Sequence, residues 1–172
     1  MPGYVNVDRF GEPDLVWDLE QLPWPWQDGS VEEVLFEHVL EHLGQAPAAF
    51  IAIMQELYRV CRDGARIRIR VPHPRHDSFL ADPTHVRPIL PATLELFSRR
   101  RNLEWQAGGV ANTPLALQHG VDFEIEDSSY LLEEPWRSQI AAGTLSQDAA
   151  FDLVERQNNV AVEIDITLRV VK

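Results

Sequence analysis

Four short apolar runs in this chain each end on a residue able to do chemistry. Val5 to Val7 is followed by Asp8, Leu15 to Trp17 by Asp18, Val34 to Phe36 by Glu37-His38, and Ile67 to Val71 by Pro72-His73. An ionised carboxylate only accepts hydrogen bonds and has room for two donors, so Asp8 suits the paired hydroxyls of a ribose. Imidazole titrates near neutral pH, which makes His38, His73 and His85 candidate bases for an oxygen nucleophile. His38-Val-Leu-Glu-His42 also matches H-x-x-E-H, a pattern in which two histidines one helical turn apart hold zinc and the glutamate acts as base. A strand before it and Gly44 after it leave little helix to carry those ligands. The spacing of His73, His76 and Asp82 is not diagnostic either, so no metal is assigned.

Each of these residues also has a plainer role. Asp8 can form a turn ahead of Gly11, Asp18 can cap a turn, and a loop histidine can simply hold its loop. Trp24 and Trp26 are large enough that core packing is the favoured reading over shielding a ligand.

The elements that must position these side chains alternate between strand and helix. Polar residues just beyond short strands belong to the carboxyl edge of an open α/β sheet, where ligands bind. Pro47 to Cys61 carries Phe50, Ile53, Met54, Leu57 and Val60 or Cys61 at helical spacing, with Pro47 in the first turn and Gly64 beyond the end. Arg66 to Val71 alternates arginine with an apolar residue. A strand with an arginine face is unusual at the centre of a parallel sheet, so either the stems lie along apolar surface or that face is less covered. A helix is expected from Pro91 to Arg101, with Arg99-Arg-Arg101 at its C-terminal end, where positive charge complements the helix dipole. Val121 to Ile125 reads as a strand, Ser146 to Arg156 as a helix capped by Ser146, and Val160 to Val170 as a long alternating strand.

Five stretches carry a resemblance: Tyr4-Val-Asn-Val-Asp8, Asp14 to Leu19, Leu22-Pro-Trp-Pro-Trp-Gln-Asp-Gly-Ser-Val-Glu-Glu-Val34, His38-Val-Leu-Glu-His-Leu43, and Gln55 to Ile67. Together they resemble a class I S-adenosylmethionine-dependent methyltransferase of the type 11 subgroup, closely over residues 3 to 74 and more loosely beyond. The resemblance implies an α/β fold: a Rossmann-like methyltransferase sheet with an antiparallel C-terminal strand. It implies Asp8 on the ribose, Asp18 and Leu19 on the adenine, and Glu37 with His38 beside the sulfonium. The segments around His73-Pro-Arg-His-Asp77 and Asp82-Pro-Thr-His-Val-Arg87 correspond to the region where acceptors dock. Met1 stands directly before the family's second strand, so the first strand and its glycine-rich loop are absent and the chain reads as N-terminally truncated. That loop cradles the methionine end of the cofactor, so its absence implies weakened or lost binding. The absent strand lies between those carrying Asp8 and Glu37. Unpaired backbone there is costly, so those two strands are expected to pair directly, or a strand of another copy to fill the gap as a homodimer.

One domain over residues 1–172 accommodates this: a cofactor-side half (3–74), a substrate-side loop and helix (75–120), and C-terminal strands and helix (121–172). A formal charge of −12 disfavours nucleic acid and favours a cationic sulfonium. No apolar run approaches the ~20 residues that span a bilayer, and no leader is evident, so neither membrane contact nor export is expected and the location is read as cytoplasmic. The single Cys61 reads as core packing. The function expected is methyl transfer to a small-molecule or sugar-type acceptor. The alternatives are a non-catalytic scaffold or dimerisation protein and, least favoured, a zinc peptidase.

Overall fold

The computed structural model describes residues 3–172. Two strands open the chain, β1 (Val7–Asp8) and β2 (Leu15–Val16), followed by β3 (Val31–Glu37) and a 3-10 turn at Leu40–His42. Then come α1 (Pro47–Val60), β4 (Cys61–Pro72), α2 (Asp77–Leu80), α3 (Pro91–Glu95), α4 (Arg99–Ala107), α5 (Leu115–His119), β5 (Phe123–Leu132), α6 (Trp136–Ala141), α7 (Gln147–Arg156) and β6 (Ala161–Val170). β3, β4, β6 and β5 form one sheet in that order, with β3 parallel to β4 and β6 antiparallel to both its neighbours. The antiparallel terminal strand is thus as expected.

β1 and β2 pair with each other, in parallel, as a separate two-stranded sheet. The direct pairing expected between the strands carrying Asp8 and Glu37 does not form; the sheet is split there instead. The hydroxyl of Tyr4 donates to the Glu33 carboxylate near the amino end of β3, a side-chain tie between the N-terminal segment and the larger sheet.

Register explains the arginine strand. Ile67, Ile69 and Val71 of β4 are buried, as are Ile164, Ile166 and Leu168 of β6, and they pack with Ile53, Met54 and Leu57 of α1. The other face carries rows of partners: Glu33 beside Arg66 beside Arg169, Leu35 beside Arg68 beside Thr167, and Glu37 beside Arg70 beside Asp165. Arg68 meets Glu33 at 2.9 Å, Arg70 meets Asp165 at 2.8 Å, and Glu126 bridges Arg66 and Arg169 at 2.9 and 3.3 Å. The side chains of Arg66, Arg68 and Arg70 are 59, 58 and 42% exposed, so this is the less covered face rather than one of buried stems. Such exposed pairs contribute about 0–1 kcal/mol each and mainly keep the face in water.

α1 begins at Pro47, and Ser146 caps α7 by accepting from Ala149 N at 3.2 Å, both as the sequence indicates. The helix expected from Pro91 to Arg101 is two helices. Ser98 lies beyond the end of α3 and caps α4, its Oγ accepting from Arg101 N at 3.1 Å. The arginine run therefore stands at a helix N-terminus, against the dipole, and is neutralised by acids instead: Arg100 binds Glu104 and Glu124, each at 2.8 Å. Cys61 is fully buried, and burial pushes its thiol up to about 11, so it is packed and unreactive. Trp24 is a core residue 5% exposed, its ring edge-on to Trp26 at 6.1 Å. No helix is long and apolar enough to cross a membrane among the described residues.

Candidate functional site

The parallel register of β1 and β2 brings Asp8 opposite Val16, and Trp17 N donates to Asp8 O at 3.0 Å. Asp8 and Asp18 thus share one edge. Asp8 Oδ1 accepts from Phe10 N at 2.8 Å, the turn role, and Oδ2 has no protein donor among the described residues. Asp18 is more engaged: Oδ1 accepts from Glu20 N at 3.0 Å, and Oδ2 from Arg9 Nη1 at 3.2 Å. Leu19 packs against the core, and its carbonyl accepts from Trp24 Nε1 at 2.9 Å. A nucleoside at this edge would find one free carboxylate oxygen on Asp8, a second carboxylate behind an exposed arginine, and an apolar side chain beside them. These groups fit the ribose and adenine end.

Glu37 ends β3, its side chain 58% exposed and 3.5 Å from Arg70 Nη1. It also lines an open groove of about 590 Å³ on the charged sheet face, with Tyr4, Arg68, Arg70 and Asp165; Asp8, Asp18 and Leu19 do not line it. His38 follows with φ +54°, a left-handed turn that swings the chain off the strand. Its N–H still donates to Arg70 O at 3.0 Å, and its Nε2 lies 3.1 Å from Glu163. The helix that the H-x-x-E-H reading requires is not there. Residues 38 to 42 run through this turn into a three-residue 3-10 segment, so the peptidase arrangement does not form.

The three candidate bases do not converge. His73, 6% exposed, sits edge-on to Tyr130 at 5.7 Å, with Nδ1 accepting from Arg75 N at 3.3 Å. Burial holds it below the usual histidine range, with Arg75 and His76 adding to the effect. The unfolded chain therefore takes up this proton more readily than the folded one. Stability contributed at neutral pH is lost as pH falls through 6.5 and levels off below the depressed folded value. The melting temperature should fall over that interval, and His73→Gln should flatten the profile.

His85 lies elsewhere, against the 3-10 turn. Its ring is 4.7 Å from that of His42 and stacks on Phe79 at 5.1 Å. Between His38, His42 and His85 sits Glu41, wholly buried, with no hydrogen-bond partner for either carboxylate oxygen. Burial raises its carboxyl above the usual range, against the pull of its own nearby backbone N–H and then of the three histidines. The sequence pattern singles out Glu41 only as part of H-x-x-E-H; nothing in it shows that His85 and Thr84 close over it.

No protein-family model matches the sequence, and neither does any curated protein. Solved structures do match. An S-adenosylmethionine-dependent methyltransferase from Archaeoglobus fulgidus superposes with a TM-score of 0.50 at 20% identity, over 84% of this chain and 61% of its own. The chain has the fold of a class I methyltransferase. The Burkholderia thailandensis 1,6-didemethyltoxoflavin-N1-methyltransferase, with bound 1,6-didemethyltoxoflavin and S-adenosylhomocysteine, matches with a TM-score of 0.49 at 13% identity, over 96% of this chain and 60% of its own. A Mesorhizobium loti methyltransferase matches with a TM-score of 0.44 at 17% identity, over 89% of this chain and 67% of its own. The chain thus spans about 61% of the length of the Archaeoglobus methyltransferase.

Proposed function

We propose that the protein is an S-adenosylmethionine-dependent methyltransferase acting on a small-molecule or sugar-type acceptor. The observation that carries this reading is the strand arrangement. β2 and β1 lie as one parallel pair and β3, β4, β6 and β5 as another sheet, with Asp8, Asp18 and Glu37-His38 at strand ends. In this reading Asp8 Oδ2 takes a ribose hydroxyl, Asp18 and Leu19 hold the base, and Glu37 faces the cationic end. The bound cofactor would supply a methyl group made electrophilic by positive sulfur. The chain's own part is to align an acceptor and, for an oxygen nucleophile, to remove its proton. His38 is the first candidate base, because Glu163 holds its ring at 3.1 Å while it stays 46% exposed; His73 and His85 come second. A second copy of the chain, laying a strand along the unpaired edge of β3, would complete the cofactor side.

The rival reading, a non-catalytic scaffold, is favoured by the ion-paired face of β4 and β6, which is suited to water rather than to a covering helix. Transfer of labelled methyl from S-adenosylmethionine to a panel of hydroxylated small molecules and sugars separates the two. The proposal expects transfer that falls at least ~100-fold in His38→Ala, the usual scale of a lost general base. Cofactor binding with no transfer to any acceptor would favour the scaffold.

A further inference from the structure

Around Glu41 the chain gathers hydrogen-bond acceptors and leaves them without a donor. The Glu41 side chain is 0% exposed and both its oxygens are unpartnered. A bare carboxylate out of water is strongly disfavoured, so a group in this position either keeps a proton or holds a cation.

The two neighbouring imidazoles are held in the state that binds a cation. His42 Nδ1 lies 3.2 Å from Thr84 O and 3.0 Å from Thr84 Oγ1. Thr84 spends its hydroxyl proton on Asp82 Oδ1 at 2.6 Å, so towards His42 both oxygens only accept, and Nδ1 carries the hydrogen. His85 Nδ1 likewise donates to Phe79 O at 2.8 Å. In each neutral ring the lone pair is left on Nε2. Fixing a ring through Nδ1–H to a carbonyl is how proteins orient a metal-bound histidine. Ligand atoms of Glu41, His42 and His85 all come within 4.8 Å of one another. Asp82 stands at the rim, its Oδ2 3.8 Å from His85 Nε2, and His38 Nδ1 lies 3.6 Å from Glu41 Oε1.

We infer that Glu41, His42 and His85 form a binding site for a divalent cation of the zinc class. Two imidazole nitrogens and one carboxylate favour zinc or its borderline-soft neighbours over calcium or magnesium, which take oxygen ligands. Three protein ligands leave one tetrahedral position for water or for Asp82. The ion would clip the Asp82–His85 segment to the 3-10 turn, tying the loop after β4 to the end of β3. This is not the H-x-x-E-H arrangement of a peptidase. His38 is not a ligand, and the second imidazole comes from a residue that the sequence pattern does not contain.

The test is a zinc titration of the whole 172-residue chain against a chromophoric chelator, beside His42→Asn, His85→Asn and a His73→Asn control. One ion per chain is expected, with affinity lower by at least about 100-fold in the first two variants and unchanged in the control. Uptake that is absent, or that survives both His42→Asn and His85→Asn, overturns the site. Should those variants fail to fold, cobalt bound to the wild-type chain decides. The intense visible bands of a tetrahedral site support the inference, and the weak spectrum of hydrated cobalt refutes it.

Discussion

Replacing Gly44 with alanine should destabilise the protein by at least about 4 kcal/mol, or prevent folding, which urea unfolding followed by circular dichroism would measure. Two effects add. Gly44 has φ +65°, where a side chain carries strain of about 1–2 kcal/mol. A Cβ there would also lie 2.5 Å from Phe50 Cα and 2.6 Å from Phe50 N, backbone atoms of α1 that cannot swing aside as a side chain would. The turn cannot easily move away from α1, because Gly44 N donates to Glu20 Oε1 at 2.7 Å and Gly44 O accepts from Arg87 at 2.7 Å. By contrast, Gly64 and Gly120 have similar φ values but open space where a Cβ would go. Alanine at either should cost only the backbone strain, about 1–2 kcal/mol.

Arg59→Ala should cost about 3 kcal/mol. Arg59 ties α1 to the tryptophan segment before β3: its guanidinium donates to both oxygens of Glu56, to the carbonyls of Trp24 and Trp26, and to Asp28. Glu56, only 8% exposed, also accepts from Trp24 N at 2.6 Å. Its carboxyl is held below the usual range mainly by the Arg59 hydrogen bonds. Removing the arginine leaves a nearly buried carboxylate with one backbone donor, and breaking such a pair typically costs 3–5 kcal/mol. The low end applies because 29% of the Arg59 side chain reaches water. Arg59→Lys keeps the charge but not the five-donor fork, so it should recover less than half of the loss in the same unfolding measurement.

Periodicity made much of this molecule legible. α1 and β6 each bury one apolar stripe, and Phe50, Ile53, Met54 and Leu57 on one, with Ile164, Ile166 and Leu168 on the other, announce themselves by spacing. Where burial is not periodic, the reading fails. The middle of β5, Glu126 to Ser129, is exposed and held as strand by its pairing to β6, so only its first residues looked like one. α6 has no buried residue and gave no signal. Ser98 splits the helix expected after Pro91, since a serine before a charged run serves as an N-cap as readily as a helix interior.

The candidate site divides in the same way. Asp8 and Glu37 are the last residues of β1 and β3, with His38 one residue beyond β3 and Asp18 two beyond β2, because the carboxyl edge follows from the strand pattern alone. What those side chains touch did not follow. The Asp8 turn contact and the Arg9 contact to Asp18 depend on local geometry, and the closure of Thr84 and His85 over Glu41 joins segments more than 40 residues apart.

The central claim is that the edge carrying Asp8 and Asp18 holds the nucleoside of S-adenosylmethionine. Calorimetric titration of S-adenosylhomocysteine into the 172-residue protein, with Asp8→Ala beside it, tests that claim most directly. The account predicts one site with a Kd of roughly micromolar order, weakened at least about tenfold in the variant, since a charged hydrogen bond contributes about 1.5–3 kcal/mol. No heat at millimolar ligand, or binding equal in wild type and Asp8→Ala, would contradict it.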